Sequence, residues 1–398
     1  MKTNPGPLIM ILDGDDAIQV ALQVATELSQ DLRATIIGIG TTESSRLLRS
    51  RYCDIADIAP PVQHTTEYRQ SLVQLIRKYR PDMILPIDYR SVAALDAIRT
   101  DIFGATNLCL PPSDSLEISL DKSKTLAVAR KIGIQVPEDY TTFVRGIDSP
   151  KRSPGDLEQL PFPVFMKAAR EAGRHVAAKV DSPMGFWSTY DRLRGESEDG
   201  TVLVQEYVNG GDGHNYCYSF LFVENSVELS FGHEKVKSVP REAGAVTRAR
   251  VLRDPHLEAM SMKLLRELKW NGVGFVEYKK RSDETYVLLE INARAWGAYA
   301  LAKKSGYHFH STMVARTLNL PANSPPVPPR AGEMAFPLRE LTFWLKNRTD
   351  ESLLRSMAVL WPPCRWDVDF RDLGAWLPAG GLRKLATRFR DLWSYPQT

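Results

Sequence analysis

The sequence predicts an α/β domain, then an α+β region, and finally a small, mostly helical C-terminal region. Three observations predict this order. Strand-like and helix-like segments alternate over residues 1–112, strands dominate from residue 162 to about 320, and a proline-rich segment follows at residues 321–332. An alternating β-α-β pattern is typical of a parallel sheet, whereas a run of strands with separate helices is typical of α+β structure.

The first region begins with a short apolar strand, Leu8–Leu12, which the acidic turn DGDD separates from an amphipathic helix, AIQVALQVATELSQ. The apolar residues that recur on one face of this helix are Ile18, Leu22, Ala25 and Leu28. ATIIGIG then predicts a strand, SLVQLIRKYR a second helix, and DMILPID a buried strand. We therefore expect a small parallel α/β domain over residues 1–112.

The second region, residues 113–320, opens after a proline pair with two helices. Asp114 and Glu117 mark the possible start of the first helix, and the second runs from Asp121 to Ile132 and ends at Gly133. Strand-like segments follow in PFPVFMK, TVLVQEYV, HNYCYSFLFV and SVELSFG, before the helix PHLEAMSMKLLRELKW. This mixture predicts an α+β domain.

The last part of the chain differs in composition. Residues 321–332 are rich in proline, which favours a stiff, extended linker. Residues 333–398 contain five of the eight tryptophans, and they end in a basic amphipathic helix, GLRKLATRFRDLW. A membrane surface is one partner for such a helix, but packing on its own domain is the favoured interpretation.

Composition excludes several classes of protein. The chain has 398 residues, 43% of them hydrophobic, and a net charge of only +3, which does not indicate a nucleic-acid partner. The apolar run Leu8–Leu12 is too short for a signal peptide or a membrane span. The four cysteines of the chain lie far apart in sequence, which is typical of proteins in a reducing compartment. We expect a cytoplasmic protein.

The candidate site lies in VLLEINARAWG, residues 287–297. In a strand, Glu290, Asn292 and Arg294 share one face, because side chains alternate. A hairpin with a turn at residues 282–285 would place Glu277 directly opposite Glu290, where two carboxylates repel each other and require a positive group. Two carboxylates and one amide oxygen suit Mg²⁺ completed by substrate phosphates, with Mn²⁺ as the alternative.

Other polar residues carry weaker signals. Lys167 ends a buried strand and could bind a phosphate as a point charge. The basic stretch at residues 233–250 is either a solvated loop or an anion-binding segment. His308 and His310 could share a strand face as zinc ligands, but no cysteine or acid lies in phase, so packing is favoured.

These residues and their order resemble the ATP-grasp superfamily, whose members bind MgATP between two α+β subdomains and commonly join a carboxylate to an amine. DKSKTLAVARKIGIQVP is similar to the entry helix, PFPVFMK to the phosphate-binding strand, and VLVQEYVNGG to the adenine-contacting hinge. VEY and LLEINARAWG are similar to the paired metal strands. The resemblance covers roughly residues 1–320 and identifies residues 1–112 as the domain that precedes the grasp.

The resemblance implies roles for individual residues. Lys122 and Lys167 would contact the ATP phosphates, and Glu277, Glu290 and Asn292 would hold the metal. Arg294 and Lys167 would be catalytic, with Arg294 facing the γ-phosphate or the acylphosphate. Those implied at the nucleoside are Gln205, Glu206, Tyr207 and Val208 for adenine, and Asp212 for ribose. The chain departs from the family in its flap, where AAREAGRHVAAKV has one glycine in place of several.

The implied function is that of an ATP-dependent carboxylate-amine ligase acting on small molecules. Formation of carboxyphosphate, as in carbamoyl-phosphate synthase, is the alternative within enzymes. A nucleotide-binding regulator without turnover is the alternative outside them, because the flap glycines are depleted. A homodimer would be the commonest assembly if the chain self-associates.

Overall fold

The computed structural model describes residues 6–13, 19–149, 151–170, 177–209, 215–239, 244–321, 332–346 and 366–376. The proposed ribose acid Asp212, most of the flap, the proline-rich segment and the basic C-terminal helix lie outside these residues. Among the described residues, no helix is both long and apolar enough to cross a membrane.

The first region is a four-stranded parallel sheet with helices, as the alternation of segments predicts. Its strands lie in the order β3-β2-β1-β4. The elements are β1 (Leu8–Asp13), α1 (Val20–Leu32), β2 (Thr35–Gly40), β3 (Ile55–Ile58), α2 (Thr65–Tyr79), β4 (Met83–Pro86) and α3 (Tyr89–Ala97). Helix α3 starts at the carboxyl end of β4, where the Asp88 side chain accepts from the Ser91 amide.

A small antiparallel sheet follows, with strand order β6-β5-β7. The elements are α4 (Ser113–Leu120), α5 (Lys122–Lys131), α6 (Thr141–Ile147), β5 (Val164–Ala168), β6 (Ala177–Val180), α7 (Phe186–Glu196) and β7 (Val202–Glu206). The Asp121 carboxylate caps α5 by accepting from the amides of Ser123 and Lys124. This cap holds Lys122 at the first position of the helix.

The third sheet is antiparallel and has six strands in the order β12-β11-β8-β9-β10-β13. The elements are β8 (Asn215–Val223), β9 (Ser226–Val239), β10 (Ala245–Leu252), α8 (Pro255–Glu267), β11 (Gly272–Lys280), β12 (Tyr286–Asn292), α9 (Tyr299–Lys304), α10 (Phe309–Thr317), β13 (Glu333–Ala335) and α11 (Pro337–Lys346). A parallel α/β sheet followed by two antiparallel sheets confirms the predicted fold class.

Residues that follow the proline-rich segment pack against both earlier regions of the chain. Strand β13 pairs with β10 at the edge of the six-stranded sheet, although residue 320 was predicted to end that domain. Residues 366–376 return to the first sheet, where Asp372 accepts from the Ser50 hydroxyl at 2.5 Å and from the Arg51 amide at 3.0 Å. Composition could not reveal these pairings, because they are contacts between residues distant in sequence.

A buried carboxylate joins the first sheet to the helices that follow β12. Glu27 on α1 has no exposed surface and accepts from the Tyr299 hydroxyl at 2.8 Å. It also accepts from the amides of His310 and Ser311, both at 2.9 Å, and so caps α10 from another part of the fold. Burial raises the pKa of Glu27.

The two histidines of HFH lie at the start of helix α10 and not on a strand face, which agrees with the favoured interpretation of packing. The His308 ring nitrogen Nδ1 lies 2.5 Å from Asp31 Oδ2. His310 is buried against Tyr299, and burial lowers its pKa to about 3, so it is neutral. Both residues therefore serve packing between α1 and α10.

We predict that Glu27→Ala lowers the free energy of unfolding by about 2–4 kcal/mol, because one hydroxyl and two amides lose their buried acceptor. Urea unfolding measures the change. Glu67→Ala, at an exposed position of α2, is the control and should change the free energy by less than about 0.5 kcal/mol. An effect of Glu27→Ala as small as that of the control would contradict the capping role.

We also predict a pH-dependent contribution from His308. The hydrogen bond to Asp31 raises the pKa of His308, and its partner's pKa is lowered. Because the folded pKa of His308 exceeds the unfolded value of about 6.5, the stabilisation is complete below that value and is lost as the pH rises through the folded pKa. The melting temperature of His308→Gln should therefore differ from wild type at pH 6 and approach it at pH 9. His64→Gln, at an exposed position, should show no such trend.

Candidate active site

The hairpin of β11 and β12 pairs Glu277 with Glu290, as the spacing predicts, but the length of its turn and the register of its strands differ from those expected. The turn is one residue longer than expected, since Lys280 and not Arg281 pairs with Tyr286. A bulge then makes Leu289 the extra residue, because Tyr278 pairs with Leu288 while the next pair is Glu277 with Glu290.

The bulge decides which side chains of β12 face the core. Leu288 and Ile291 lie three residues apart, yet both belong to the same buried apolar cluster. Without the extra residue, strict alternation would place Leu288 and Glu290 on one face. The bulge therefore turns Glu290 and Asn292 away from that cluster and into the site.

Each carboxylate of the pair has a lysine. The Nζ atom of Lys235, on β9, lies 2.7 Å from Glu277 Oε2, and the Nζ atom of Lys122 lies 3.5 Å from Glu290 Oε2. The Asn292 side-chain amide donates to Glu290 Oε1 at 3.0 Å. Burial would lower the pKa of Lys235, but Glu277 and Glu290 raise it above its ordinary value, so the side chain is charged. The positive groups required between the paired acids are these two lysines.

Lys167 reaches the same strand from the three-stranded sheet. It lies on β5, is 5% exposed, and donates to the Leu289 carbonyl at 3.0 Å. The Lys122 amide donates to the Ala169 carbonyl at 3.0 Å, which ties the start of α5 to the end of β5. The structure thus brings both predicted phosphate-binding lysines to the end of β12.

The predicted adenine-contacting segment, residues 205–208, begins in the last two residues of β7 and continues beyond that strand. The Glu206 carboxylate is held by Arg281, whose Nε and Nη2 atoms lie 3.1 and 2.5 Å from its two oxygens. The Glu206 side chain is therefore engaged within the chain, and its amide donates to the Glu138 carbonyl at 2.9 Å. The Tyr207 ring lies between Lys179 and Lys279, whose Nζ atoms are 4.7 and 5.3 Å from its centroid.

Two further members of this segment are buried. Gln205 is 2% exposed and Val208 is 4% exposed. The Val208 carbonyl accepts from Lys279 Nζ at 3.2 Å. The sequence analysis missed Lys279, although it lies two residues after Glu277 on β11 and hence on the same face of that strand.

Arg294 lies just beyond β12 and lines a small open pocket. Its Nη1 donates to the Ala295 carbonyl at 3.0 Å, and its guanidinium lies 5.3 Å from the centre of the Phe275 ring. Lys122, Glu290 and Asn292 line the same pocket. The predicted site residues of β12 and α5 therefore meet at one opening.

The basic stretch at residues 233–250 is mostly strand, not the solvated loop that was one of its two interpretations. Arg248 pairs with Glu340 at 3.3 Å, and Arg250 pairs with Glu234 at 2.8 Å. Lys237 lies 4.0 Å from the centre of the Phe343 ring on α11. Of this stretch, Lys235 is the lysine that reaches the acid pair.

The donor set suits a hard divalent cation only with help from a ligand. Within the part of the chain that the structure describes, no three His, Cys, Asp or Glu side chains form a metal-holding group. Two carboxylates and an amide remain, and Mg²⁺ typically binds one or two carboxylates while phosphates and water complete its octahedron. Glu277, Glu290 and Asn292 fit that pattern.

We predict that Lys235→Met destabilises the protein by about 1–3 kcal/mol, because the paired carboxylates lose a close positive charge. Added MgCl₂ should then raise the melting temperature of the variant more than that of wild type. Thermal unfolding with MgCl₂, or with NaCl at equal ionic strength, measures the difference. Lys280→Met, at the edge of the same hairpin, is the control, and an equal response to MgCl₂ in both variants would count against the acid pair as a cation site.

A comparison with known protein families matches the part of the chain that contains the acid pair. A family model described as ATP-grasp in the biosynthetic pathway with Ter operon matches residues 223–336, which include β9 to β13. No curated protein sequence matches the chain at a significant level.

Solved structures match over most of the chain. Biotin carboxylase from Campylobacter jejuni, in a β-γ-ATP complex, has a TM-score of 0.66 at 14% identity, covering 82% of this chain and 74% of that one. The biotin carboxylase domain dimer of 2-oxoglutarate carboxylase from Hydrogenobacter thermophilus, with MgADP, ADP and bicarbonate, has a TM-score of 0.65 at 13% identity, covering 83% and 74%. L-amino acid ligase from Bacillus licheniformis has a TM-score of 0.56 at 13% identity, covering 79% and 75%.

At such low sequence identity, the structural similarity shows the fold alone. The family match falls on the strands that carry Glu277, Glu290 and Asn292. Residues 223–336 match the ATP-grasp family model, and the fold of the chain is similar to that of biotin carboxylase and L-amino acid ligase.

Proposed function

We propose that the chain is an ATP-dependent ligase that activates a carboxylate as an acylphosphate and joins it to an amine, such as an amino acid, with release of ADP and phosphate. The observation that carries this proposal is the meeting of Lys122, Lys167 and Arg294 with the carboxylate pair at the end of β12. Three cations beside two acids suit a metal-bound phosphoryl group more than they suit a structural ion-pair network.

In this proposal each residue has a physical task. Glu277, Glu290 and Asn292 hold Mg²⁺ or Mn²⁺, which when bound neutralises charge on the phosphates. Lys122 and Lys167 hold the phosphates, and residues 205–208 hold adenine. Lys167 and Arg294 stabilise the negative charge that spreads over the oxygens in the transition state. Asp212 stays a prediction for ribose.

We also propose a role for each region of the chain. Residues 1–112 contribute the substrate side, and residues 113–320, completed by β13, clasp the nucleotide. Residues 321–332 connect this unit to the tryptophan-rich residues 333–398. The substrates are small molecules, and a homodimer and a cytoplasmic location stay predictions.

Activation of bicarbonate is the second candidate. The similar domain from Hydrogenobacter thermophilus was solved with bicarbonate and MgADP, and Lys122 and Arg294 in the pocket lining suit such an anion. The amine ligase is preferred because the lining of the pocket also includes the partly exposed Leu120, which bicarbonate does not need.

The test is release of ADP and phosphate from MgATP with pooled carboxylates, amines or bicarbonate, each added or omitted. Release that needs both a carboxylate and an amine would support the ligase. Release with bicarbonate and no organic acid would favour carboxyphosphate formation. Nucleotide binding without release would favour a regulator, and the absence of nucleotide binding would contradict all three.

We predict that Glu290→Gln lowers turnover by at least about 100-fold, because one metal-binding charge is lost, while the free energy of unfolding changes by less than about 1 kcal/mol. Coupled release of ADP and urea unfolding measure the two effects. Glu284→Gln, exposed in the turn of the same hairpin, is the control and should retain turnover. Equal loss of stability and turnover in Glu290→Gln would mean that Glu290 supports folding and not the reaction.

A further inference from the structure

One face of strand β11 extends from the acid pair towards the predicted adenine-contacting segment, residues 205–208. Side chains alternate along a strand, so Glu277 and Lys279 lie on the same face. The bulge of the hairpin does not interrupt this alternation, because the extra residue is in β12 and the pairing of β11 with β8 is continuous. Arg281 directly follows β11, and at about 3.3 Å per residue it lies roughly 13 Å along the chain from Glu277.

Lys279 and Arg281 both contact residues 205–208. The Lys279 Nζ atom donates to the Val208 carbonyl at 3.2 Å. The Arg281 Nε and Nη2 atoms donate to the two oxygens of the Glu206 carboxylate at 3.1 and 2.5 Å. Residues 205 and 206 belong to the three-stranded sheet, whereas β11 belongs to the six-stranded sheet. These contacts therefore tie the end of one sheet to the metal-binding hairpin of the other.

The Glu206 carboxylate joins a third segment to this junction. Its Oε2 atom accepts from the Glu138 amide at 3.2 Å, and the Glu206 amide donates to the Glu138 carbonyl. A guanidinium that donates two hydrogen bonds to one carboxylate fixes the angle between the two groups as well as their distance. Both side chains are 26% exposed, so their attraction contributes little to stability. The main physical effect of the pair is to set an orientation.

The opposite end of the cleft has its own connection between the two sheets. Lys167 donates from β5 to the Leu289 carbonyl of β12, beside the acid pair. The three-stranded sheet is thus joined to the hairpin at the phosphate end by Lys167 and at the base end by Lys279 and Arg281. A ligand that contacts both ends depends on the distance and angle between them, whereas a ligand that contacts one end does not.

We propose that Arg281 and Glu206 are positioning residues for the nucleotide. Their ion pair holds residues 205–208 at the distance from Glu277 and Glu290 that a nucleoside triphosphate requires. This inference rests on the nucleotide binding in the proposed function. The pair takes no part in phosphoryl transfer. It acts by preorganisation, which strengthens binding by reducing what must be ordered when the ligand arrives.

The experiment compares MgATP with magnesium tripolyphosphate, which has no base, by titration calorimetry of the full chain. Arg281→Met should raise the Kd for MgATP at least about fivefold and change the Kd for tripolyphosphate by less than about twofold, because only MgATP contacts both ends. Lys280→Met, which removes the neighbouring pair with Glu284, is the control and should keep both constants. Equal weakening of both ligands by Arg281→Met, or of neither, would overturn the inference.

Two further variants test whether the ion pair itself is responsible. Glu206→Gln should weaken MgATP binding, and its combination with Arg281→Met should be no weaker than the worse single variant by more than about twofold, because both changes break one interaction. Effects that multiply would show that the residues act separately. Arg281→Lys keeps the charge but loses the paired hydrogen bonds, so its Kd for MgATP should lie between those of wild type and Arg281→Met. A wild-type Kd in Arg281→Lys would contradict an orienting role.

Failure of the proposed function gives a different result. If wild type binds neither MgATP nor tripolyphosphate, then nucleotide binding and this inference are both wrong. If the binding pattern holds but no carboxylate and amine support ADP release, the ligase is wrong and the positioning role stands. If wild type binds MgATP but not tripolyphosphate, the two ends do not act independently and the inference is wrong.

Urea unfolding separates positioning from folding. The midpoint for Arg281→Met should match that of wild type, because a partly exposed ion pair contributes little to stability. A large loss of stability, together with weaker binding of both ligands, would assign the pair a structural role and overturn the inference.

Discussion

Repulsion between the carboxylates of Glu277 and Glu290 is the constraint around which the site is arranged. The two residues are directly paired in an antiparallel hairpin, where Cβ atoms lie about 4.5–5.5 Å apart. Lys235 approaches one carboxylate from β9 and Lys122 approaches the other from α5. Each compensating charge therefore comes from a different element, and the acid pair is tolerated only in the assembled sheet.

This arrangement links stability to the proposed chemistry. Lys122 is presented by a helix whose first turn is capped by Asp121, and its amide is bound to the end of β5. Lys167 crosses from the three-stranded sheet to the Leu289 carbonyl, at the residue that forms the bulge. The same contacts that compensate the acids thus bring the two subdomains together at the place where a nucleotide phosphate would lie.

The first region supports the site from outside the two antiparallel sheets. Glu27 caps α10 and binds Tyr299, so α1 holds the helices that follow β12. Tyr89 and Val92 at the start of α3 close the pocket beside Arg294. Residues 366–376 pack against this region through Asp372 and Ser50. The pocket is therefore a property of the whole chain, and its lining combines residues more than 200 positions apart.

Local pattern was sufficient for much of this protein. Alternation of strands and helices predicted the parallel sheet, capping residues predicted the start of α5, and the 13-residue interval predicted the pairing of Glu277 with Glu290. These features depend on residues close together in the chain, where propensity and spacing apply. The bulge at Leu289, the lysine beside each acid, the edge pairing of β13 and the presence of α3 at the pocket could not be predicted. They depend on which distant residues meet, and only the packing of the three sheets decides that, because each contact is chosen by tertiary burial and charge compensation and not by local sequence.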